Sequence, residues 1–193
     1  MFGNYTIGTN GVFALSAITS QSGIMINGVA ANDYSGLAVN KAGDVNNDGV
    51  VDLIIGAYSE NTNGAESGAS YIVYGGSDVG NTGTIELSSL DGTNGFVIYG
   101  EGAGDWSGDA VSCAGDFNND GRDDVIIGAR YAQINGTKTG AAYIVTCASQ
   151  LLSPPPTGQP SSAPSYLTTT FSSLTELKTA ADLYCQNVPQ SDE

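Results

Sequence analysis

The chain has 193 residues, 20 of them acidic and only 5 basic, for a formal charge of -15. Such a balance excludes nucleic-acid backbones and anionic membranes as partners, while 40% apolar residues are enough for much of the chain to fold. There is no histidine, so histidine triads, histidine general bases and histidine-ligated zinc are excluded together.

Along the chain, the first feature is negative. MFGNYTIGTNG has neither a positive region nor a long apolar stretch, so it does not read as a signal peptide. No run of about 18 apolar residues occurs anywhere, which argues against direct membrane insertion.

A repeat then takes over. Residues 23–74 and 95–146 align without a gap at an offset of 72, from Asp44 to Asp116. The lead-in segments GTNGVFALSAI and GNTGTIELSSL keep the same offset, from Gly8 to Gly80. Projected backwards, the register sets Met1 opposite Val73, so the chain is expected to begin inside a repeat, as a fragment.

Each repeat reads as short strands. SGLAVNKAG and SGDAVSCAG come first. VVDLIIGA and DDVIIGA follow as near-continuous apolar runs, the pattern of strands covered on both faces. GASYIVY and GAAYIVT are third, and GIMIN or GFVIY is the fourth, beyond a longer polar connection. Clusters of Gly, Asn, Asp and Ser separate them, and nothing from residue 23 to 146 has a helical period.

Repeated units of four antiparallel strands predict an all-β fold of β-propeller blades. Residues 1–28 are expected to end a preceding blade, 29–100 to form a complete one, and 101–148 a partial one. An incomplete propeller of this size is not expected to close a ring alone. After Ala148 the composition changes: all six prolines lie beyond Ser153. Residues 149–193 are therefore expected to be a disordered Pro/Ser-rich linker, with a short helix after the capping-box pattern Ser173-Leu-Thr-Glu176.

The chemistry lies in two loops, GDVNNDGVVD and GDFNNDGRDD. Counting from the first Asp, positions 1, 3, 5 and 9 are Asp44, Asn46, Asp48 and Asp52, and in the second copy Asp116, Asn118, Asp120 and Asp124. Position 6 is glycine in both, Gly49 and Gly121. A calcium ion needs about six to eight oxygens with part of its charge neutralised. Three carboxylates and an amide supply oxygens of both kinds, and the glycine allows a tight turn round the ion. Position 7, Val50 or Arg122, would contribute only its main-chain carbonyl, with the Arg122 side chain pointing outward.

An EF-hand would need Glu at position 12 and helices on both sides, but Ile55 and Ile127 stand there on strand-like runs. A dockerin-type loop likewise continues into a helix. A calcium loop in a β-hairpin fits both copies. The competing reading, an Asx-rich turn without metal, must crowd three uncompensated carboxylates into one bend. One calcium per loop, two in the chain, is the expectation.

These residues resemble the FG-GAP repeats of integrin α-subunit propellers and of bacterial-type, long-period surface proteins. Asp33-Tyr-Ser-Gly-Leu-Ala-Val39 and Asp105-Trp-Ser-Gly-Asp-Ala-Val111 stand at the Phe-Gly position, and Ile55-Gly-Ala-Tyr58 and Ile127-Gly-Ala-Arg130 at the Gly-Ala-Pro position. The Phe of FG is Ser here, and the Pro of GAP is Tyr or Arg. The resemblance implies an extracellular or cell-surface propeller, structural calcium, and non-catalytic recognition or adhesion through a protein or glycan ligand, packed with other blades of the same propeller. The alternative is an accessory propeller of a secreted hydrolase resembling GPI-specific phospholipase D, or an inactive truncated fragment.

Smaller features complete the reading. Cys113, Cys147 and Cys185 form no C-x-x-C pair, and the first two are expected as buried free thiols. Asn4 and Asn135 head glycosylation acceptor triplets. Tyr34 and Trp106 occupy equivalent positions and are expected to pack at blade edges. Lys41, Arg122, Arg130, Lys138 and Lys178 are scattered and make no phosphate site.

Overall fold

The computed structural model describes residues 14–147. The expected Pro/Ser-rich tail, its helix, Cys185 and Asn4 lie outside them. The described residues form eleven strands: β1 Met25–Asn27, β2 Ala38–Gly43, β3 Asp52–Ala57, β4 Ala69–Val73, β5 Thr84–Glu86, β6 Gly95–Tyr99, β7 Ser107–Gly115, β8 Asp124–Ala129, β9 Gln133–Ile134, β10 Thr137–Lys138 and β11 Ala141–Val145. Two single-turn 3-10 helices, Leu15–Ala17 and Leu87–Ser89, fall at equivalent points of the repeat.

The first repeat builds a four-stranded antiparallel sheet in the order β2-β3-β4-β6, the up-and-down order of a propeller blade. The second repeats it with β7-β8-β11. Registers match: Val39 faces Ile55 in one sheet and Val111 faces Ile127 in the other. Even the irregularity is copied, since the pairing shifts between Lys41 and Gly43 and again between Cys113 and Gly115. The chain is an all-β protein built of propeller blades, an incomplete propeller.

The core is a seam between the two sheets. One face of the first blade presents Ile54, Ile72 and Tyr74, and Val111, Val125, Ile127 and Cys147 of the second pack against it. Ile54, Ile72 and Val125 are fully buried, each stabilising the seam by roughly 1.5 to 3 kcal/mol. A second cluster covers the middle of the opposite face of the first blade, with Ile55, Tyr71, Val73 and Leu87 under Ile26 and Ile85. Those last two belong to β1 and β5, which pair in parallel. GIMIN is a strand as expected, but β5 within the lead-in segment was not read as one.

Glycine sets how closely the blades approach. A Cβ on Gly56 would fall on the carbonyl oxygen of Gly108, and one on Gly68 on the carbonyl oxygen of Ser107. Gly68 and Ser107 form a bridge between the blades. Gly56 lies in the Gly-Ala segment of one repeat and Gly108 in the Ser-Gly segment of the next. The two glycine motifs are therefore the two sides of one backbone-to-backbone contact.

Cys113 and Cys147 are free. Cys113 is half-buried rather than buried, and Cys147 lies just beyond β11, fully buried. Burial pushes the Cys147 thiol up to about 12, with Asp124, Asp120 and Asp52 adding to the effect and Arg122 opposing it. A thiol at that value is protonated at neutral pH and unreactive. Cys147 is expected to resist alkylation at pH 8 in the native protein and to react on denaturation; rapid labelling of native Cys147 in a peptide map would contradict its placement.

Candidate metal loops and the opposite aromatic row

Each candidate loop joins the first two strands of its sheet. The chain leaves β2 at Gly43 and enters β3 at Asp52, and it leaves β7 at Gly115 and enters β8 at Asp124. No helix flanks either loop, as the hairpin reading requires.

Both loops fold on the same hydrogen-bond frame. Asp48 N–H donates to Asp44 Oδ1 at 2.9 Å and to Asn46 Oδ1 at 3.1 Å, and Gly49 N–H donates to Asp44 Oδ2 at 2.8 Å. Val50 N–H donates to Asp48 Oδ1 at 2.8 Å, and Asn46 Nδ2 to Asp48 Oδ2 at 2.8 Å. In the second copy Asp120 N–H donates to Asp116 Oδ1 at 2.9 Å and to Asn118 Oδ1 at 3.0 Å, and Gly121 N–H to Asp116 Oδ2 at 2.9 Å. Arg122 N–H then donates to Asp120 Oδ1 at 3.0 Å, and Asn118 Nδ2 to Asp120 Oδ2 at 2.8 Å. The bend depends on left-handed backbone: φ is 60° at Asn47 and Asn119 and 85° at Gly49 and Gly121. Asparagine and glycine tolerate that region best.

Position 9 plays a part the sequence did not disclose. Asp52 and Asp124 are fully buried. Asp52 accepts from Val45 N–H at 2.9 Å and from Gly75 N–H at 2.7 Å. Asp124 accepts from Phe117 N–H at 3.0 Å and from Cys147 N–H at 3.0 Å. Each thus ties the start of its loop to the residue leaving the third strand of its blade. Burial raises the Asp52 carboxyl above the ordinary range, and Asp48 and Asp44 raise it further; the Gly75 and Val45 amides oppose them. The Asp52 carboxyl therefore feels the other two carboxylates of its loop.

By kind, the donors fit a hard divalent cation. Asp48, Asp116, Asn118 and Asp120 are exposed, and Asp44 and Asn46 are half-buried. A carboxylate offers about four lone-pair sites, so Asp52 and Asp124 keep acceptor capacity beyond their amide partners. Among the described residues, no three acidic, Cys or His side chains are drawn together as a ready-made cage. The buried position-9 acids turn toward backbone amides.

Position 7 also differs from expectation. Arg122 does not point outward; its Nη1 donates to the Val45 carbonyl of the first loop at 3.4 Å. The next residue, Asp123, accepts from Asp44 N–H at 2.8 Å and returns its own N–H to the Asp44 carbonyl at 3.1 Å. The second loop thereby clamps the start of the first. Val50 is 41% exposed and makes no such reach.

The opposite strand ends carry a row of aromatic rings. Tyr34 stacks on Tyr58 with centroids 5.4 Å apart, Tyr58 meets Trp106 at 4.9 Å, and Trp106 meets Tyr131 edge-on at 4.8 Å. Tyr34 and Trp106 do pack at the blade ends as expected. Both hold left-handed backbone, with φ of 53° and 58°, an uncommon conformation for bulky residues. Trp106 Nε1 donates to Glu66 Oε2 at 3.1 Å. Arg130 lies 4.8 Å above the Trp106 ring and pairs with Asp109 at 3.3 Å, and Lys138 lies 5.3 Å from Tyr131. Two of the cations read as scattered therefore converge on one aromatic group. Asn135 sits exposed on the β9–β10 turn.

Blades in series, with Asx-rich loops at one end of each sheet, define the class: a repeat protein of the propeller type. Residues 41–73 and 110–145 match the FG-GAP repeat family, and these spans contain both loops and the strands around them. Over these residues the chain carries the FG-GAP repeat. It is 38% identical over 118 residues to integrin alpha pat-2 of Caenorhabditis elegans. The match covers 58% of this chain and 9% of that relative, so the chain spans a small part of its length. Among the described residues, no helix is long and apolar enough to cross a membrane.

Proposed function

We propose that the chain is a calcium-stabilised, non-catalytic FG-GAP propeller module for recognition or adhesion at the cell surface. Each loop takes one calcium ion. Asp44, Asn46, Asp48, Asp52 and the main-chain carbonyl of Val50 hold the first. Asp116, Asn118, Asp120, Asp124 and the main-chain carbonyl of Arg122 hold the second. The supporting observation is the same Asx frame built twice, 72 residues apart, with carboxylates gathered on a bend that carries little opposing charge. The surface setting rests on the likeness to an integrin alpha chain, and the ligand class is a protein or a glycan.

Calcium binds the folded loop and not the unfolded chain, so it stabilises by mass action. At a free concentration about 100 times the dissociation constant, each site adds about 2.7 kcal/mol. Loops of extracellular modules bind at roughly 10⁻⁴ to 10⁻³ M. Chelation is therefore expected to lower the melting temperature by several degrees, and excess calcium, but not magnesium, to restore it. A melt indifferent to chelator would count against the proposal.

A further inference from the structure

The two loops touch across the seam through residues that lie between the proposed ligands. Asp123 stands at position 8 of the second loop, between Arg122 and Asp124. Its carboxylate accepts from Asp44 N–H at 2.8 Å, and its own N–H donates to the Asp44 carbonyl at 3.1 Å. Both main-chain groups of position 1 of the first loop are thus held by the second. Val45 is pinned from two sides as well. Its carbonyl receives Arg122 Nη1 at 3.4 Å, and its N–H donates to Asp52 Oδ2 at 2.9 Å.

A glycine makes room for this contact. A Cβ on Gly43 would fall on the Asp123 carboxylate, whereas nothing lies within 4 Å of one on its counterpart Gly115. Position 8 of the first loop is Val51, whose side chain has no acceptor to offer. The clamp is therefore not part of the frame that the two repeats share.

We infer that Asp123 is a positioning residue for the first calcium loop and couples the two loops, so that an ion in one tightens binding in the other. The inference rests on the calcium reading proposed above. Arg122 and Asp124 would both hold the second ion, one by its carbonyl and one by its carboxylate, and the residue between them is then fixed with them. Through Asp123 that order reaches Asp44, whose side chain accepts the Asp48 and Gly49 amides that shape the first bend. Ordering a loop costs conformational entropy, and a loop already ordered by its neighbour has less left to lose. The effect is reciprocal: whatever factor the second ion adds to the first, the first adds to the second.

Calorimetric calcium titrations test this at physiological ionic strength, where long-range repulsion between the ions is screened. Asp48→Ala and Asp120→Ala each empty one loop and leave the clamp in place. The coupling factor is the product of the two wild-type binding constants divided by the product of the constants of these two variants. It is expected to be about 5 to 10 in wild type and about 1 in an Asp123→Ala background. It is expected to survive in Asp123→Asn, which keeps an acceptor without the charge. Hydrogen exchange gives a second readout that does not depend on Asp120→Ala folding. In Asp48→Ala, calcium in the second loop is expected to slow exchange of the Asp44 amide, and adding Asp123→Ala is expected to abolish the slowing. A wild-type factor of one or less, a factor unchanged in Asp123→Ala, or one lost equally in Asp123→Asn would each overturn the coupling and leave the sites standing. An Asp123→Ala protein that binds a single ion would make Asp123 a ligand and overturn its positioning role. No calcium uptake at all would overturn the sites themselves and the coupling with them.

Discussion

Gly68→Ala is expected to cost roughly 3 to 4 kcal/mol of folding free energy, the upper end of single-substitution effects. Two costs add. Gly68 has φ of 85°, where a side chain is strained, and its Cβ would meet the backbone of Ser107, which cannot rotate away. Gly56→Ala is expected to cost nearly as much through the second cost alone, since its Cβ would meet the Gly108 carbonyl. Gly36→Ala is the control: φ is 93° there, with nothing within 4 Å of the new Cβ, so backbone strain of about 1 kcal/mol is all that applies. Denaturant unfolding of the three variants measures the difference. Equal losses would mean that close approach of the blades does not set these positions.

A comparable loss is expected from Asp52→Ala. The carboxylate is fully buried and accepts two main-chain amides from different parts of the blade. Removing it leaves the Val45 and Gly75 N–H groups without that acceptor, at roughly 1 to 3 kcal/mol each. The loss is expected in chelator as well as in calcium, because the amides need their acceptor in both. Asp48→Ala, on an exposed residue of the same loop, is expected to cost far less in chelator and to matter mainly when calcium is present. Melting curves of both variants in both conditions separate the roles. An Asp52→Ala protein as stable as wild type in chelator would reduce that residue to a ligand alone.

Much of this was legible in the sequence because repeats duplicate every local signal. Strands β2, β3, β4 and β6 follow from apolar runs broken by Gly, Asn and Asp, and the same runs announce β7, β8 and β11. The loop bend follows from Gly49, whose type tolerates left-handed backbone, and it recurs one repeat later as Gly121.

What escaped is what depends on neighbours distant in the chain. Nothing in Thr84–Glu86 announces a parallel pairing with Met25–Asn27. Arg122 looked like a cation to be kept away from a metal loop, because the Val45 carbonyl that receives it lies in the other repeat. Asp52 read as one more ligand oxygen, since its amide partner at Gly75 comes from beyond β4. The departures from Phe in FG and Pro in GAP are intelligible in the same way. The glycines of those motifs meet across the seam, and the bulk at the blade ends passes to Tyr34, Tyr58, Trp106 and Tyr131.

The central claim is that each Asx loop holds one calcium ion, and counting bound ions tests it most directly. Equilibrium dialysis or calorimetric titration is expected to give two calcium ions per wild-type chain. The count should fall to one in Asp44→Ala, one in Asp116→Ala and none in the double variant. A wild type that takes up no calcium at millimolar concentration, or an Asp44→Ala protein that still binds two ions, would contradict the account.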